Sequence, residues 1–178
     1  MAASMRRLFF ALWPPAVVAA GLHDAALAAQ RACGGRPMRR ETLHLTLAFL
    51  GAVPQSRVAA AAAAAANVAA RPFVLELARL ACWKHNRIVW AGCSDVPPAL
   101  ARLAADLAQA LRQAGFALDA RPFAVHATLV RNADCAATVP PPAAPIDWPV
   151  ADFALVESHA ERGASRYEVL RRWPLVMD

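Results

Sequence analysis

The sequence predicts an α+β fold assembled from two similar halves, and three observations carry that prediction. The run HLTLAFLG at residues 44–51 returns as HATLVR at residues 126–131, each time with a histidine and a threonine two apart between apolar residues. Each half also holds several strand-like segments and a helix rich in alanine and leucine. The two motif histidines stand 82 residues apart, as an internal duplication would place them. Because a strand points successive side chains to opposite faces, His44 and Thr46 project together, as do His126 and Thr128, with Cα atoms roughly 7 Å apart within each pair. If the halves pack about a pseudo-twofold axis, both polar faces meet across one groove.

Taken in order, Arg6 to Trp13 predicts a strand, and Pro14 and Pro15 open a helix that runs to about Ala32 and stops at Gly34 and Gly35. A loop bearing Arg36, Arg39 and Arg40 leads into the first motif strand, about Leu43 to Leu50, ended by Gly51. The alanine-rich stretch from Pro54 to Ala70 predicts a helix with little grip on a core. Phe73 to Trp83 and Arg87 to Cys93 predict a hairpin turned at Lys84, His85 and Asn86. Pro97 and Pro98 open a third helix, whose Leu100, Leu103, Leu107 and Leu111 form a core-facing stripe up to Gly115. The second motif strand spans Phe123 to Arg131. A proline-rich extended piece from Pro140 to Pro149 follows, then strands near Phe153 to His159 and Tyr167 to Trp173.

The 178 residues suit a single domain, 1–178, able to bury roughly 70% of its unfolded surface. Eighteen arginines against one lysine leave a net charge of +6, which favours anionic partners such as nucleic acid or nucleotides; it equally fits a composition enriched in alanine and arginine. Cys33, Cys82, Cys93 and Cys135 form no CxxC pair, and we read them as free thiols of a reducing cytoplasm. The opening MAASMRRLFFALWPP imitates a secretory leader, but its prolines break the apolar stretch after six residues, so strand, turn and helix is the expectation. No segment approaches the roughly 20 apolar residues of a membrane span.

The stretches RRLFFALWPP, ETLHLTLAFLG, RIVWAG, RPFAVHATLVR and ALVESHAERGASRYEVL, in that order, resemble the 2H phosphoesterases, specifically the RNA 2′,3′-cyclic phosphodiesterases also called 2′-5′ RNA ligases. The resemblance covers almost the whole chain. It implies a bilobal fold in which two antiparallel sheets line a central groove, with helices outside and one HxT motif from each lobe. By the same resemblance His44 is the proton donor and His126 the acceptor of the water proton, yielding a 2′-phosphomonoester. One departure is visible: Val125 stands where the family usually has proline, so a slight shift in the backbone leading into the second motif is expected, with the histidine kept.

The chemistry also follows from the residues. Opening a cyclic phosphodiester needs a base for the attacking water and an acid for the departing ribose oxygen, and two histidines supply both near neutral pH. Which histidine takes which role stays open on the residues alone. Thr46 and Thr128 offer short hydroxyl donors to the phosphoryl oxygens, and Arg131 a charge-assisted contact. Strict alternation puts Arg131 on the face opposite His126, so it must reach around the strand end, and its place in the site is what the resemblance implies. No metal and no cofactor are expected, because two separated histidines do not make a zinc site. His23, His85 and His159 read as surface or structural residues.

Trp13, Trp90 and Phe123 are candidates to stack a base, although core packing is the commoner fate. Arg36, Arg39 and Arg40 are either a solvated basic loop or a guide for an RNA backbone. The expected partners are RNA ends or small nucleotides carrying a 2′,3′-cyclic phosphate, with no membrane and no obligate protein partner for what we expect to be a cytoplasmic monomer. The reverse reaction, 2′-5′ ligation, and a non-catalytic nucleotide- or RNA-binding module are the alternatives.

Overall fold

The computed structural model describes residues 4–177, so the first three residues of the leader-like opening lie outside it. Strand β1 (Met5–Leu12) runs into α1 (Ala16–Cys33), as the proline pair and the double glycine predict. The two-residue β2 (Arg36–Pro37) follows, then β3 (Leu45–Pro54), α2 (Val58–Ala66) and β4 (Phe73–Leu77). The hairpin β5 (Arg79–Trp83) and β6 (Ile88–Gly92) leads to α3 (Pro98–Gln113) and β7 (Ala127–Arg131). Strands β8 (Ile146–Val150), β9 (Asp152–Glu161) and β10 (Ala164–Pro174) complete the order.

Two antiparallel halves, β10-β9-β1-β3 and β7-β6-β5, meet where the motif strands β3 and β7 lie side by side. They are joined at a single register pair, Leu45 opposite Ala127, and each of these residues directly follows a motif histidine. The strands diverge beyond this pair. β2 then occupies the side of β7 that β3 has left, with Arg36 opposite Arg131. Strands β4 and β8 form a separate two-stranded sheet, in which Pro149 is tolerated because β8 has a neighbour on one side only.

The helices cross between the halves: α1 packs against β7 and β6, while α3 packs against β3 and α2. The leucine stripe of α3 is buried in the main core together with Leu45, Leu47 and Leu129, the apolar face of the two motif strands. Among the described residues no helix is long and apolar enough to cross a membrane.

Four expectations need correction. Gly51 does not end the first motif strand: it adopts φ +68° opposite Leu8, while Phe9 faces Phe49, so Leu50 bulges out and the strand continues to Pro54. The segment Phe73 to Trp83 is two strands, because Ala78 separates the part that pairs with β8 from the part that pairs with β6. The second motif strand starts at Ala127, not Phe123, where pairing with β6 begins; upstream, the backbone N–H of Arg121 donates to Oδ1 of Asp119 at 2.9 Å in a local turn. Finally, Cys82 and Cys135 are joined in a disulfide, their Cα atoms 5.5 Å apart, and only Cys33 and Cys93 are free thiols. Adjacency of β5, β6 and β7 brings the end of β5 beside the loop after β7, a proximity that sequence spacing does not reveal.

Candidate active site

The Leu45–Ala127 pair organises the site. Each member of the pair directly follows a motif histidine and directly precedes a motif threonine, so this one pairing brings both HxT motifs to the same place. All four residues line one groove of about 820 Å³. The apolar neighbours Leu45, Leu47, Ala127 and Leu129 are buried on the other face, as strand alternation demands.

Each imidazole is locked in the same way. Nδ1 of His44 lies 2.8 Å from the carbonyl oxygen of Thr42, and Nδ1 of His126 lies 2.9 Å from that of Ala124. A carbonyl only accepts, so Nδ1 carries the hydrogen in both rings and Nε2 is left as the nitrogen that takes or gives a proton. The close match of the two contacts gives the second motif, despite its Val125, the same histidine anchoring as the first.

The surroundings of the two rings differ. His44 sits in an aromatic cage: Trp13 stacks on it at 5.4 Å with planes 5° apart, Tyr167 meets it edge-on at 5.1 Å, and Phe9 lies 4.9 Å away. The cage stands on a small apolar cluster of Phe9, Ala11, Ala154 and Val156, on the groove side of β1 and β9. Burial in it pulls the His44 pKa from 6.5 down to about 4, against the opposing pull of the Thr42 carbonyl, with His126 and Arg131 adding to the depression. His126 has a single aromatic neighbour, the edge of Trp83 at 4.6 Å. Its pKa is also lowered, chiefly by burial, with the Ala124 carbonyl opposing and Arg131 contributing.

Arg131 lines the groove together with His126 and Thr128, and it gets there without reaching around the strand end. Trp90 pairs with Thr128 but Val89 pairs with Val130, so Leu129 bulges out of β7. The bulge shifts the alternation by one, and Arg131, opposite Ile88, shares a face with Thr128. The like-signed pull of Arg131 on both histidines reflects the same convergence.

Of the aromatic candidates, Phe123 lines the groove and is 37% exposed, whereas Trp13 stacks on His44 and Trp90 packs on Trp83 at 5.2 Å. His85, read as a surface or structural residue, lies on the groove wall, because the β5–β6 turn borders it. His23 is structural, tying α1 to the Met38 carbonyl at 3.2 Å, and His159 pairs with Glu168 at 3.2 Å. Arg7, Phe9, Trp83 and Tyr167 were missed. Their signal is weak, since each reads as an ordinary strand residue until the sheet order brings it beside a motif. One trio among the described residues, Glu157, His159 and Glu168, has metal-like spacing, but Arg6 pairs with Glu157 and Arg166 lies 3.8 Å from Glu168.

A family model described as LigT like phosphoesterase matches residues 12–90 and 92–167. The RNA 2′,3′-cyclic phosphodiesterase of Escherichia coli (strain K12) is 36% identical over 170 residues, covering 96% of this chain and 97% of that protein. The Thermus thermophilus protein of the same name is 31% identical over 182 residues, 95% of this chain and 90% of that one. The crystal structure of E. coli LigT complexed with 3′-AMP superposes with a TM-score of 0.89 at 36% identity, covering 98% of this chain and all of that chain.

Proposed function

This chain belongs to the LigT-like phosphoesterases, and from that premise we propose that it hydrolyses 2′,3′-cyclic phosphates of RNA ends or small nucleotides to 2′-phosphomonoesters. One observation supports the reading above the others: two imidazoles, each tied through Nδ1 to a carbonyl, offer Nε2 to the same groove from strands that meet at one residue pair. In the reaction His126 Nε2 takes a proton from the attacking water as its oxygen bonds to phosphorus. The bond from phosphorus to the ribose 3′-oxygen breaks, and His44 Nε2 protonates that oxygen. The site then holds the opposite protonation pattern and resets by exchange with solvent.

Thr46 and Thr128 hydroxyls and the Arg131 guanidinium hold the phosphoryl oxygens while charge redistributes. The depressed pKa of His44 leaves it neutral in the free site at pH 7, and the negative phosphate arriving beside it restores its proton. An imidazolium that is weakly held there is a strong acid, suited to expelling an alkoxide.

The test is incubation with a short RNA ending in a 2′,3′-cyclic phosphate, in chelator, with identification of the end group. A new 2′-phosphomonoester is expected, and loss of several orders of magnitude in rate on His44→Ala or His126→Ala. Near-normal turnover by either variant refutes the reading. Joined product at high concentrations of 5′-hydroxyl RNA would show that the reverse reaction is also available.

A further inference from the structure

Beside the groove lies a second cavity, of about 480 Å³, walled by β2, the end of β7 and the β9–β10 hairpin. The two spaces are continuous, since Arg131, Ser165 and Tyr167 line both. Arg36 and Arg39 line the second cavity as well. Arg40 does not: it turns away to the Ala16 carbonyl at 2.7 Å. The three arginines of the loop therefore divide into two that face this cavity and one that holds α1.

The register of β2 makes the basic character costly. Arg36 stands directly opposite Arg131 across the antiparallel pair, and like charges in that position repel. The approach is also tight: Gly35 has φ +84°, and a Cβ there would come within 2.6 Å of the Arg131 carbonyl. Such a local conflict persists where it serves a site. The guanidinium groups are also fixed in place. Arg36 donates to the Gly163 carbonyl, and Arg39 to that of Ser165 at 2.9 Å, while each five-donor fork keeps further N–H groups for a ligand. Glu161 is engaged by Arg166 at 3.2 Å, and Glu41 takes only the Nε of Arg39, at 3.3 Å, leaving further N–H groups of that guanidinium for a ligand.

We propose that this cavity receives the phosphodiester on the 5′ side of the nucleotide whose cyclic phosphate lies between the histidines, with Arg131 spanning the two phosphates. The inference rests on the function proposed above and specifies its substrate: an oligonucleotide end is bound in preference to a mononucleotide. A free phosphate group would meet the same donors, and the experiment separates a linked phosphodiester from it.

The probes are the dinucleotide ApA carrying a terminal 2′-phosphate, the same molecule with an uncharged methylphosphonate linkage, and inorganic phosphate, each titrated calorimetrically into the intact protein at several salt concentrations. The charged linkage is expected to bind about tenfold tighter than the neutral one. Its slope of log affinity against log salt should be steeper by about 0.7, the value for one neutralised phosphate on a single strand. Saturating inorganic phosphate should abolish binding of the dinucleotide only at concentrations far above those of the dinucleotide itself. The double variant Arg36→Gln with Arg39→Gln should lose the discrimination.

Equal affinity for the two linkages in the unmodified protein, which requires no variant to fold, overturns the proposal, as does discrimination that survives the double variant. Hydrolysis of adenosine 2′,3′-cyclic phosphate by the same preparation keeps the two readings apart. Turnover without linkage discrimination sinks the cavity proposal alone, and discrimination without turnover sinks the catalytic reading alone.

Discussion

Acidification should expose the cost of burying His44, and the size of the effect follows from its cage. A pKa of about 4 in the fold against 6.5 in the unfolded chain corresponds to about 3 kcal/mol. Above pH 6.5 the ring is neutral in both states and contributes no pH dependence. As pH falls through the window between 6.5 and about 4, the unfolded chain binds a proton that the folded site refuses, so stability is lost with acid. By pH 4.5 most of this, about 2–3 kcal/mol, is lost. The perturbation is His44→Gln, which removes the titrating ring while leaving every other ionisable group in place. Urea unfolding followed by circular dichroism at pH 7.5 and pH 4.5 gives four stabilities, and the pH dependence of other groups cancels in their double difference. Wild type should lose about 2–3 kcal/mol more than the variant between the two pH values. A double difference below about 0.5 kcal/mol would refute the reasoning, because it would mean that the cage of Phe9, Trp13 and Tyr167 does not desolvate the ring.

The same depressed ionisations predict that kcat/KM for a cyclic phosphate peaks below pH 6.5, with the kcat profile displaced to higher pH by the bound phosphate; a kcat/KM optimum well above 7 counts against the paired-histidine mechanism. Thr46→Val and Thr128→Val should each lower kcat by about 10²-fold with little change in thermal stability, measured by end-group release and by melting. Gly35→Ala should push β2 off β7 through its clash with the Arg131 carbonyl, weakening phosphate binding in calorimetry; unchanged affinity would show that β2 does not support Arg131. Cys82→Ala opens a bridge spanning 53 residues and should cost about 2–4 kcal/mol in urea unfolding, with no cost if the denatured chain is already constrained.

Local periodicity alone determined much of this protein. The alternation in HLTL and HATL put His44 with Thr46 and His126 with Thr128, because side-chain direction along a strand depends only on covalent neighbours. The leucine stripe of α3 and the proline and glycine boundaries of α1 were legible for the same reason: backbone geometry is local. The tertiary structure decided what depends on partners distant in the chain. Register against β6 makes Leu129 bulge and turns Arg131 into the groove, reversing what strict alternation implied. Register against β1 makes Gly51 a bulge inside a strand where its sequence context read as a stop. The pairing of Cys82 with Cys135 arises from the order of β5, β6 and β7. The difference between the two histidines was equally hidden, since the residues that desolvate His44 come from β1, the segment after it and β10. Two near-identical motifs thus place their imidazoles in different surroundings, and a pKa is set by what packs around a ring and not by the residues beside it in the chain.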